Sequence, residues 1–245
     1  MGVFMGDDIE VNNESLSFQL LNDKLLNLTH SHWDQVNGAR YFFDDQQAIH
    51  EATELILKKY FNRRFLKAYL GKASLLDTPQ NWGWKDPRNT IILPLWTKVF
   101  PNAKIIFIYR NGVDSAASLV HRENKQNYDI TIPAYSSRCR SMQGAFDLWR
   151  DYNSFFLHIK KQLASENLLE IKYEDFLKSP NTILEQLSSF LQKPLSFQLQ
   201  EKFLSEIKSN RAFSFIGDTE LEGFYKQVKN DAIMIQFGYK NLIDD

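Results

Sequence analysis

A continuous apolar run at residues 103–109 most constrains what this chain can fold into. The run reads AKIIFIY, and its β-branched and aromatic residues follow one another without regular polar alternation. Such a run is typical of a strand that is buried on both faces of a sheet. A second run, at residues 168–173, is followed by a turn and by a predicted helix at residues 182–191. Strands that alternate with helices predict an α/β fold, a parallel sheet with helices on both faces.

Other local signals place the elements around the predicted sheet. Asp44 and Asp45 can cap a helix that runs to about residue 60. Pro94 lies early in a predicted helix at residues 89–99, whose first turns it should distort. The remaining predictions are a strand-like run at 82–85, a turn at Asn111-Gly112, helices at 113–123 and within 137–166, and C-terminal helices and loops with one loop at 213–217.

Composition narrows the function classes. The 245 residues suit one domain over residues 1–245, and the formal net charge of -1 gives no general case for binding nucleic acid or an anionic membrane. A single cysteine, Cys139, excludes an internal disulfide and a cysteine-based zinc site, and no metal is expected. We find no apolar run near the ~18 residues that span a bilayer, and no signal-peptide pattern at the start. These features predict a soluble, cytoplasmic protein.

The predicted strand at 103–109 leads directly into Arg110, and a helix follows. In open parallel sheets, ligands bind at the carboxyl ends of the strands. Ser118 lies one helical turn beyond Asp114 and shares its face. A guanidinium and a hydroxyl so placed can hold one phosphate, because arginine offers a fixed fork of donors. The alternative is that Arg110 pairs with Asp114 and that Ser118 is only a small residue where helix meets sheet.

A second basic group follows the strand-like run at 82–85. It consists of Lys85 and Arg88 on either side of Asp86. Two cations near a strand end suit another anionic group. The alternative is an ion-pair network around Asp86, since such clusters are often structural.

These two groups lie within a longer stretch, residues 82–123, that resembles the core of the sulfotransferase family. It reads WGWKDPRNTIILPLWTKVFPNAKIIFIYRNGVDSAASLVHRE. The shared features are a Lys-Asp-Pro-Arg segment, a helix that ends in Phe-Pro, a strand that ends in arginine, and a serine eight residues later. Asn111-Gly112 stands where the family usually has proline after Asn or Asp. Similar to the family too are Trp149, the IKYED run at 171–175 with Ser179-Pro180 after it, and residues 226–239, which end in FGY.

The resemblance implies an activity and a set of roles. The activity is transfer of a sulfuryl group from 3'-phosphoadenosine 5'-phosphosulfate to a hydroxyl or amine of a small-molecule or carbohydrate acceptor. By the same resemblance, Arg110 and Ser118 bind the 3'-phosphate of the donor, while Lys85 and Arg88 face the phosphosulfate or an acidic acceptor. Fixed cations lower the barrier because charge develops on the bridging oxygen as the S–O bond opens.

One family feature has no counterpart in the sequence. Family members carry a loop of the type Gly-Arg/Lys-Ser-Gly-Thr between the first strand and helix, where backbone N–H groups cradle the phosphosulfate. No Gly-x-Ser-Gly-Thr segment occurs in the 245 residues. Residues 1–6 resemble the end of the family's first helix. We therefore expect a P-loop-hydrolase-like sheet without its first strand, loop and helix, with a slot and unpaired edges in the sheet. A misassigned start and a decayed member remain alternatives.

A catalytic base must take the acceptor's proton. The resemblance implies Glu14, because bacterial-type members often place a glutamate after the first helix. Its rivals are His30, His32 and His121, and a capping or surface carboxylate is the alternative role for Glu14.

Other functions and the acceptor stay open at this point. A non-catalytic binding or scaffold protein that kept the fold is one alternative, and a kinase is another, although the kinase loop Gly-x-x-x-x-Gly-Lys-Ser/Thr is absent. Acceptor pockets are expected in the segments 121–135 and 213–225. Their candidate stacking residues are Tyr128, Tyr135, Phe215 and Phe224, unless these aromatics pack locally.

Overall fold

The computed structural model describes residues 3–9, 13–71, 81–125, 136–207 and 211–243. The chain forms two compact units. The first unit comprises residues 1–103 and 158–162, and the second comprises residues 104–157 and 163–245. Each predicted site falls inside one unit.

The first unit is built from helices around an aromatic core. Its helices are α1 (Leu16–Asn27), α2 (Tyr41–Asp44), α3 (Gln46–Leu55), α4 (Arg63–Leu70) and α5 (Asn89–Val99). Phe18 of α1 is fully buried, stacks on Trp84 with ring centroids 3.9 Å apart, and meets Tyr69 edge-on at 4.9 Å. Aromatic pairs in such geometries stabilise a core beyond the area that they bury.

Two local predictions for this unit are confirmed. The carboxylate of Asp45 accepts hydrogen bonds from the backbone N–H groups of Gln47 and Ala48, so it caps α3. The backbone of α5 leaves helical geometry at Ile92, with φ -103° and ψ 16°, two residues before Pro94. The strand-like run at 82–85 is reduced to one parallel bridge between Phe4 and Trp82.

The second unit carries the parallel sheet. Its strands are β1 (Ile105–Tyr109) and β2 (Leu168–Lys172), which pair in parallel from Ile105 opposite Leu168 to Tyr109 opposite Lys172. Its helices are α6 (Gly112–Lys125), α7 (Met142–Ile159, all but the last two residues), α8 (Tyr173–Lys178), α9 (Pro180–Leu191), α10 (Phe197–Glu206), α11 (Thr219–Val228) and α12 (Ala232–Gln236). Both predicted strands and the α/β class are thus confirmed, with a small parallel sheet flanked by helices.

The faces of β1 differ in burial. On one face, Phe107 stacks on Phe156 of α7, and Tyr109 stacks on Phe237 just after α12. On the other face, the side chains of Ile106 and Ile108 are 39% and 60% exposed. The prediction that β1 is buried on both faces is therefore wrong, because nothing in the described part of the chain covers the face with the two isoleucines. The two strands hydrogen-bond directly, so no slot separates them.

The helices that follow the two strands begin earlier than predicted. Gly112 begins α6, and Asn111 caps it rather than forming a separate turn. The Oδ1 atom of Asn111 accepts from the backbone N–H groups of Val113 and Asp114 at 2.8 and 3.2 Å. After β2, the chain enters the short helix α8 at once.

Candidate functional site

Arg110 follows the last residue of β1 and precedes the cap of α6, as the sequence predicted. Its guanidinium lies 3.3 Å from the Asp114 carboxylate, whose side chain is fully buried. It also donates to the backbone carbonyl of Arg211 at 2.8 Å and lies 5.1 Å from the ring centroid of Tyr173. The alternative expectation, an Arg110–Asp114 pair, is therefore confirmed as a contact.

The loop at residues 211–217 is attached to Asp114. Its carboxylate accepts from the Ser214 hydroxyl at 2.9 Å, from the Ser214 N–H at 3.2 Å and from the Phe215 N–H at 3.0 Å. These contacts bring a loop about 100 residues away in sequence to the end of β1. Asp114 thus connects the guanidinium of Arg110 to this loop.

Ser118 lies one helical turn after Asp114 on α6, so both point from the same face of the helix. Its side chain is exposed. Arg110 thus precedes α6, and Asp114 and Ser118 lie along one side of that helix.

Two donors at this strand end have no partner in the described part of the chain. They are the Nε of Arg110 and the Nδ2 of Asn111, and both atoms are buried. Buried polar atoms are nearly always hydrogen-bonded, and an unpaired one costs about 1–3 kcal/mol. Arg110 therefore retains a hydrogen-bond donor that nothing in the described part of the chain uses.

The peptide group between Arg110 and Asn111 is held by two side chains that the sequence did not single out for this role. The indole Nε1–H of Trp149 donates to the Arg110 carbonyl at 3.0 Å. The Asn111 N–H donates to the Glu174 carboxylate at 2.9 Å. The second oxygen of Glu174 accepts from the Tyr239 hydroxyl at 2.8 Å. The available signals were the resemblance of Trp149 and of the YED run that contains Glu174 to the family.

In the first unit, the structure brings Glu14 and Lys85 into contact. The amino group of Lys85 donates to the Glu14 carboxylate at 2.7 Å, and the side-chain amide of Gln19 donates to its other oxygen at 2.8 Å. Glu14 is buried, and the residue that caps α1 is Ser15. The alternative of a surface or capping carboxylate for Glu14 is therefore wrong. The Lys85 side chain stays 47% exposed, so it can reach a ligand.

Arg88 forms the centre of an ion-pair network beside that contact. Its Nε and its backbone N–H both donate to Asp86 Oδ1 at 2.9 Å, and its Nη1 donates to Asp23 at 2.5 Å. Its Nη2 lies 3.8 Å from Glu14. Asn22 donates to the other oxygen of Asp86 at 2.8 Å. The expected network around Asp86 is thus confirmed as a set of contacts.

Burial governs the ionisation of this network. Burial raises the pKa of Asp86 above its ordinary value, and the charge and hydrogen bonds of Arg88 oppose the shift. Desolvation lowers the pKa of Arg88, but Asp86 and Asp23 together raise it above the ordinary value. Arg88 is therefore cationic at every physiological pH.

The other candidates occupy different settings. His32 lies 2.8 Å from Asp34, while His30 and His121 are exposed. Phe215 is fully buried and stacks on Tyr225 with centroids 5.0 Å apart, so it packs locally. Phe224 meets Phe146 edge-on at 5.8 Å. Tyr128 and Tyr135 lie outside the described residues.

Two features are absent from the described ranges. No cluster of three or more His, Cys, Asp or Glu side chains there has the arrangement of a metal site. No helix there combines the length and apolar character needed to cross a membrane.

One family model and several known proteins are similar to this chain. The family model described as "Sulfotransferase family" matches residues 8–196. An uncharacterized protein of Aquifex aeolicus (strain VF5) is 26% identical over 213 residues, which are 79% of this chain and 26% of that protein. Sulfotransferase 6B1 of Mus musculus is 31% identical over 120 residues, 47% of this chain and 37% of that protein. The chain thus spans 26% and 37% of the lengths of these two curated relatives.

Among solved structures, the chain is similar to a sulfotransferase domain from the curacin biosynthetic pathway. The TM-score is 0.47 and the identity 18%, over 91% of this chain and 80% of that one.

Proposed function

This chain belongs to the sulfotransferase family, and we propose that it takes part in sulfuryl transfer from 3'-phosphoadenosine 5'-phosphosulfate to a hydroxyl or amine of a small-molecule or carbohydrate acceptor. The donor supplies the sulfuryl group. In the proposed reaction the acceptor oxygen or nitrogen bonds to sulfur, and the bond from sulfur to the bridging oxygen breaks. The electron pair stays with 3'-phosphoadenosine 5'-phosphate, and the acceptor's proton leaves. The residues of the chain have to bind two phosphates and receive that proton.

One observation supports this proposal most: Arg110 lies at the carboxyl end of a strand in a parallel sheet and directly precedes a capped helix. In parallel sheets this edge is where ligands bind, and the N-terminal end of the helix favours an anion. Arg110 and Ser118 are the residues that we assign to the 3'-phosphate of the donor.

The unused donors at this strand end fit a phosphate. The Nε of Arg110 is buried and unpartnered among the described residues, and Nη2 is shared between Arg211, Ser214 and Asp114. A phosphate offers several acceptor oxygens to a guanidinium, and it can use the buried Nε once the side chains that cover this atom move aside. Phosphate binding at Arg110 has to compete with the Arg211 carbonyl and the Asp114 carboxylate.

The first unit carries the groups proposed for proton transfer and charge stabilisation. Glu14 receives the acceptor's proton after its contact with Lys85 loosens. Lys85, which is half exposed, neutralises charge on the leaving group or on an acidic acceptor. We keep Arg88 in the proposal as a cation that binds the sulfuryl donor, since its Nη2 lies 3.8 Å from the proposed base Glu14. Asp23 and Asp86 also form ion pairs with it, so the ligand has to compete with them.

The proposal assigns no residue of this chain to the loop that cradles the phosphosulfate in family members, because no Gly-x-Ser-Gly-Thr segment occurs in these 245 residues.

Titration with 3'-phosphoadenosine 5'-phosphate tests the donor site. We expect heat of binding from the wild-type chain by calorimetry, and a loss of about 10- to 100-fold in affinity for Arg110→Ala, since a charge-assisted hydrogen bond is worth about 1.5–3 kcal/mol. Ser118→Ala should lose about fivefold, as for one neutral hydrogen bond. The matched control is Arg150→Ala, which removes an arginine on α7 that pairs with Asp147 and should bind like the wild type.

The outcomes separate the alternatives. Binding that Arg110→Ala abolishes and Arg150→Ala preserves supports the donor site. A wild-type chain that gives no heat, while its thermal unfolding is cooperative, contradicts it and favours the non-catalytic scaffold. Equal losses in both arginine variants indicate a nonspecific charge effect and also contradict the site.

A further inference from the structure

We infer that Glu174 is a positioning residue for Arg110 and acts together with Trp149 by fixing the orientation of the peptide group between Arg110 and Asn111. The inference rests on the proposed function, because it assigns Glu174 a role in recognising the 3'-phosphate. Neither side chain contacts the guanidinium in this role. Both act through the backbone that carries it.

The peptide group is bonded at both of its polar atoms. Trp149 Nε1–H donates to its carbonyl at 3.0 Å, and Glu174 accepts from its N–H at 2.9 Å. A peptide unit is planar, so its rotation changes ψ of Arg110 and φ of Asn111 together. Holding both atoms removes that freedom and sets the direction in which the Arg110 side chain leaves the strand.

Glu174 is itself held from a third segment. Its residue is 4% exposed, and its second oxygen accepts from the Tyr239 hydroxyl at 2.8 Å. Burial, followed by the charge of Glu174, raises the pKa of Tyr239, so the hydroxyl retains the proton that it donates. The Lys172 amino group lies 4.4 Å from the centroid of the same ring. The carboxylate is thus fixed between the strand end and the C-terminal part of the chain.

The same peptide group controls the cap of α6. Asn111 directs its Oδ1 at the N–H groups of Val113 and Asp114, which leaves its Nδ2 buried without a partner among the described residues. If the peptide plane turns, Asn111 loses this geometry, and Asp114 moves relative to Arg110. An error of about 1 Å in the placement of a binding group is enough to weaken recognition severely.

A purely structural role for Glu174 makes a different prediction. Loss of a structural contact lowers stability and weakens all ligands alike. Loss of a positioning contact weakens specifically the group that Arg110 binds. Adenosine 3',5'-bisphosphate and adenosine 5'-phosphate differ only in the 3'-phosphate, so the ratio of their Kd values isolates that group.

The experiment measures this ratio by calorimetry for the wild-type chain and three variants. Glu174→Gln retains an oxygen for the Asn111 N–H and should keep the ratio within about twofold of wild type. Glu174→Met has similar volume without an acceptor and should reduce the preference for the bisphosphate about tenfold. Trp149→Phe removes the donor to the Arg110 carbonyl, keeps an aromatic ring and should reduce the preference about fivefold.

The outcomes distinguish this inference from the proposed function. If the wild-type chain does not prefer the bisphosphate, the proposed 3'-phosphate site fails, and the inference fails with it. If the wild type has the preference and Glu174→Met retains it, only the inference is overturned. Should Glu174→Met not fold, Trp149→Phe decides: an unchanged ratio overturns the inference, and a reduced ratio with unchanged affinity for adenosine 5'-phosphate supports it.

Discussion

Arg88 in the first unit and Arg110 in the second differ in how completely their surroundings satisfy them. Arg88 donates to Asp86 and Asp23, and its side chain is 11% exposed. Arg110 has one carboxylate partner and a buried Nε without any partner in the described ranges. Several carboxylates hold Arg88, whereas one carboxylate holds Arg110. We therefore expect substitution of Arg88 to change mainly the stability of the chain, and substitution of Arg110 to change mainly its affinity for the proposed donor.

The largest effect should come from removing the satisfied arginine. Arg88→Met leaves the Asp86 carboxylate, whose side chain is 1% exposed, without its cation. Breaking a buried ion pair from one side costs about 3–5 kcal/mol. We expect a loss of that size in the free energy of unfolding, measured by urea denaturation.

One further variant in each unit, Lys85→Met and Arg110→Met, should lower the free energy of unfolding by less. Lys85→Met removes a half-exposed cation and should cost about 1 kcal/mol or less. Arg110→Met should cost about 1–2 kcal/mol, since Asp114 keeps its hydrogen bonds from Ser214 and Phe215. Equal losses in the free energy of unfolding for Arg88→Met and Arg110→Met would mean that the two arginines contribute equally to stability.

An effect of intermediate size sharpens the comparison at the start of α6. A Cβ on Gly112 would lie 2.8 Å from the Phe146 ring and 2.9 Å from the Trp149 ring. Gly112→Ala should therefore cost about 1–3 kcal/mol, the usual range for overpacking, and shift Trp149 away from the Arg110 carbonyl. The same contacts explain why proline, which also carries a Cβ, is not accommodated here.

The control for that variant has the opposite sign. Gly223, within α11, has open space where a Cβ would stand. Gly223→Ala should stabilise the chain by about 0.5–1 kcal/mol, because alanine is the better helix former. Thermal unfolding of the two variants compares them directly, and a stabilised Gly112→Ala would contradict the crowding seen at that site.

The smallest effect is a pH dependence in the first unit. The pKa of Asp86 is raised in the folded chain from its ordinary value of 3.8. Between the ordinary and the raised value, the folded state holds a proton that the unfolded state has released. The free energy of unfolding therefore falls as pH rises through this window, and the contribution is fully present only below the ordinary value.

Asp86→Asn removes this titration while keeping an oxygen for Arg88. The stability of the wild type relative to this variant should decline as pH rises from 3.8 upward, as followed by denaturation at a series of pH values. A difference that does not vary with pH would show that Asp86 titrates alike in the folded and unfolded chains.

The sequence predicted the parts of this structure that depend on local pattern. The two apolar runs predicted the two strands, Asp45 predicted the start of α3, and Pro94 predicted the distortion in α5. The sequence also placed Arg110 at the end of a strand. It predicted that Asp114 and Ser118 share one side of the next helix, because helical spacing fixes which residues share a face.

The features that the sequence could not predict depend on distant partners. Glu174 reaches Asn111 across 63 residues and Tyr239 across 65, and no local spacing records such pairs. Ile108 is an apolar residue of the kind found in buried strands, but its exposure depends on whether another element covers it. Glu14 lies in a polar stretch, yet it is buried by its contact with Lys85, which is 71 residues away.

The bond from the Asn111 N–H to Glu174 has a consequence for hydrogen exchange. Asn111 lies between a strand and a helix, where a backbone amide outside the regular ladders ordinarily exchanges with solvent quickly. Its N–H is instead bonded to the carboxylate of Glu174, which is itself buried. This amide should exchange as slowly as those within β1, and its protection factor would report the integrity of the strand end even in a sample without any ligand.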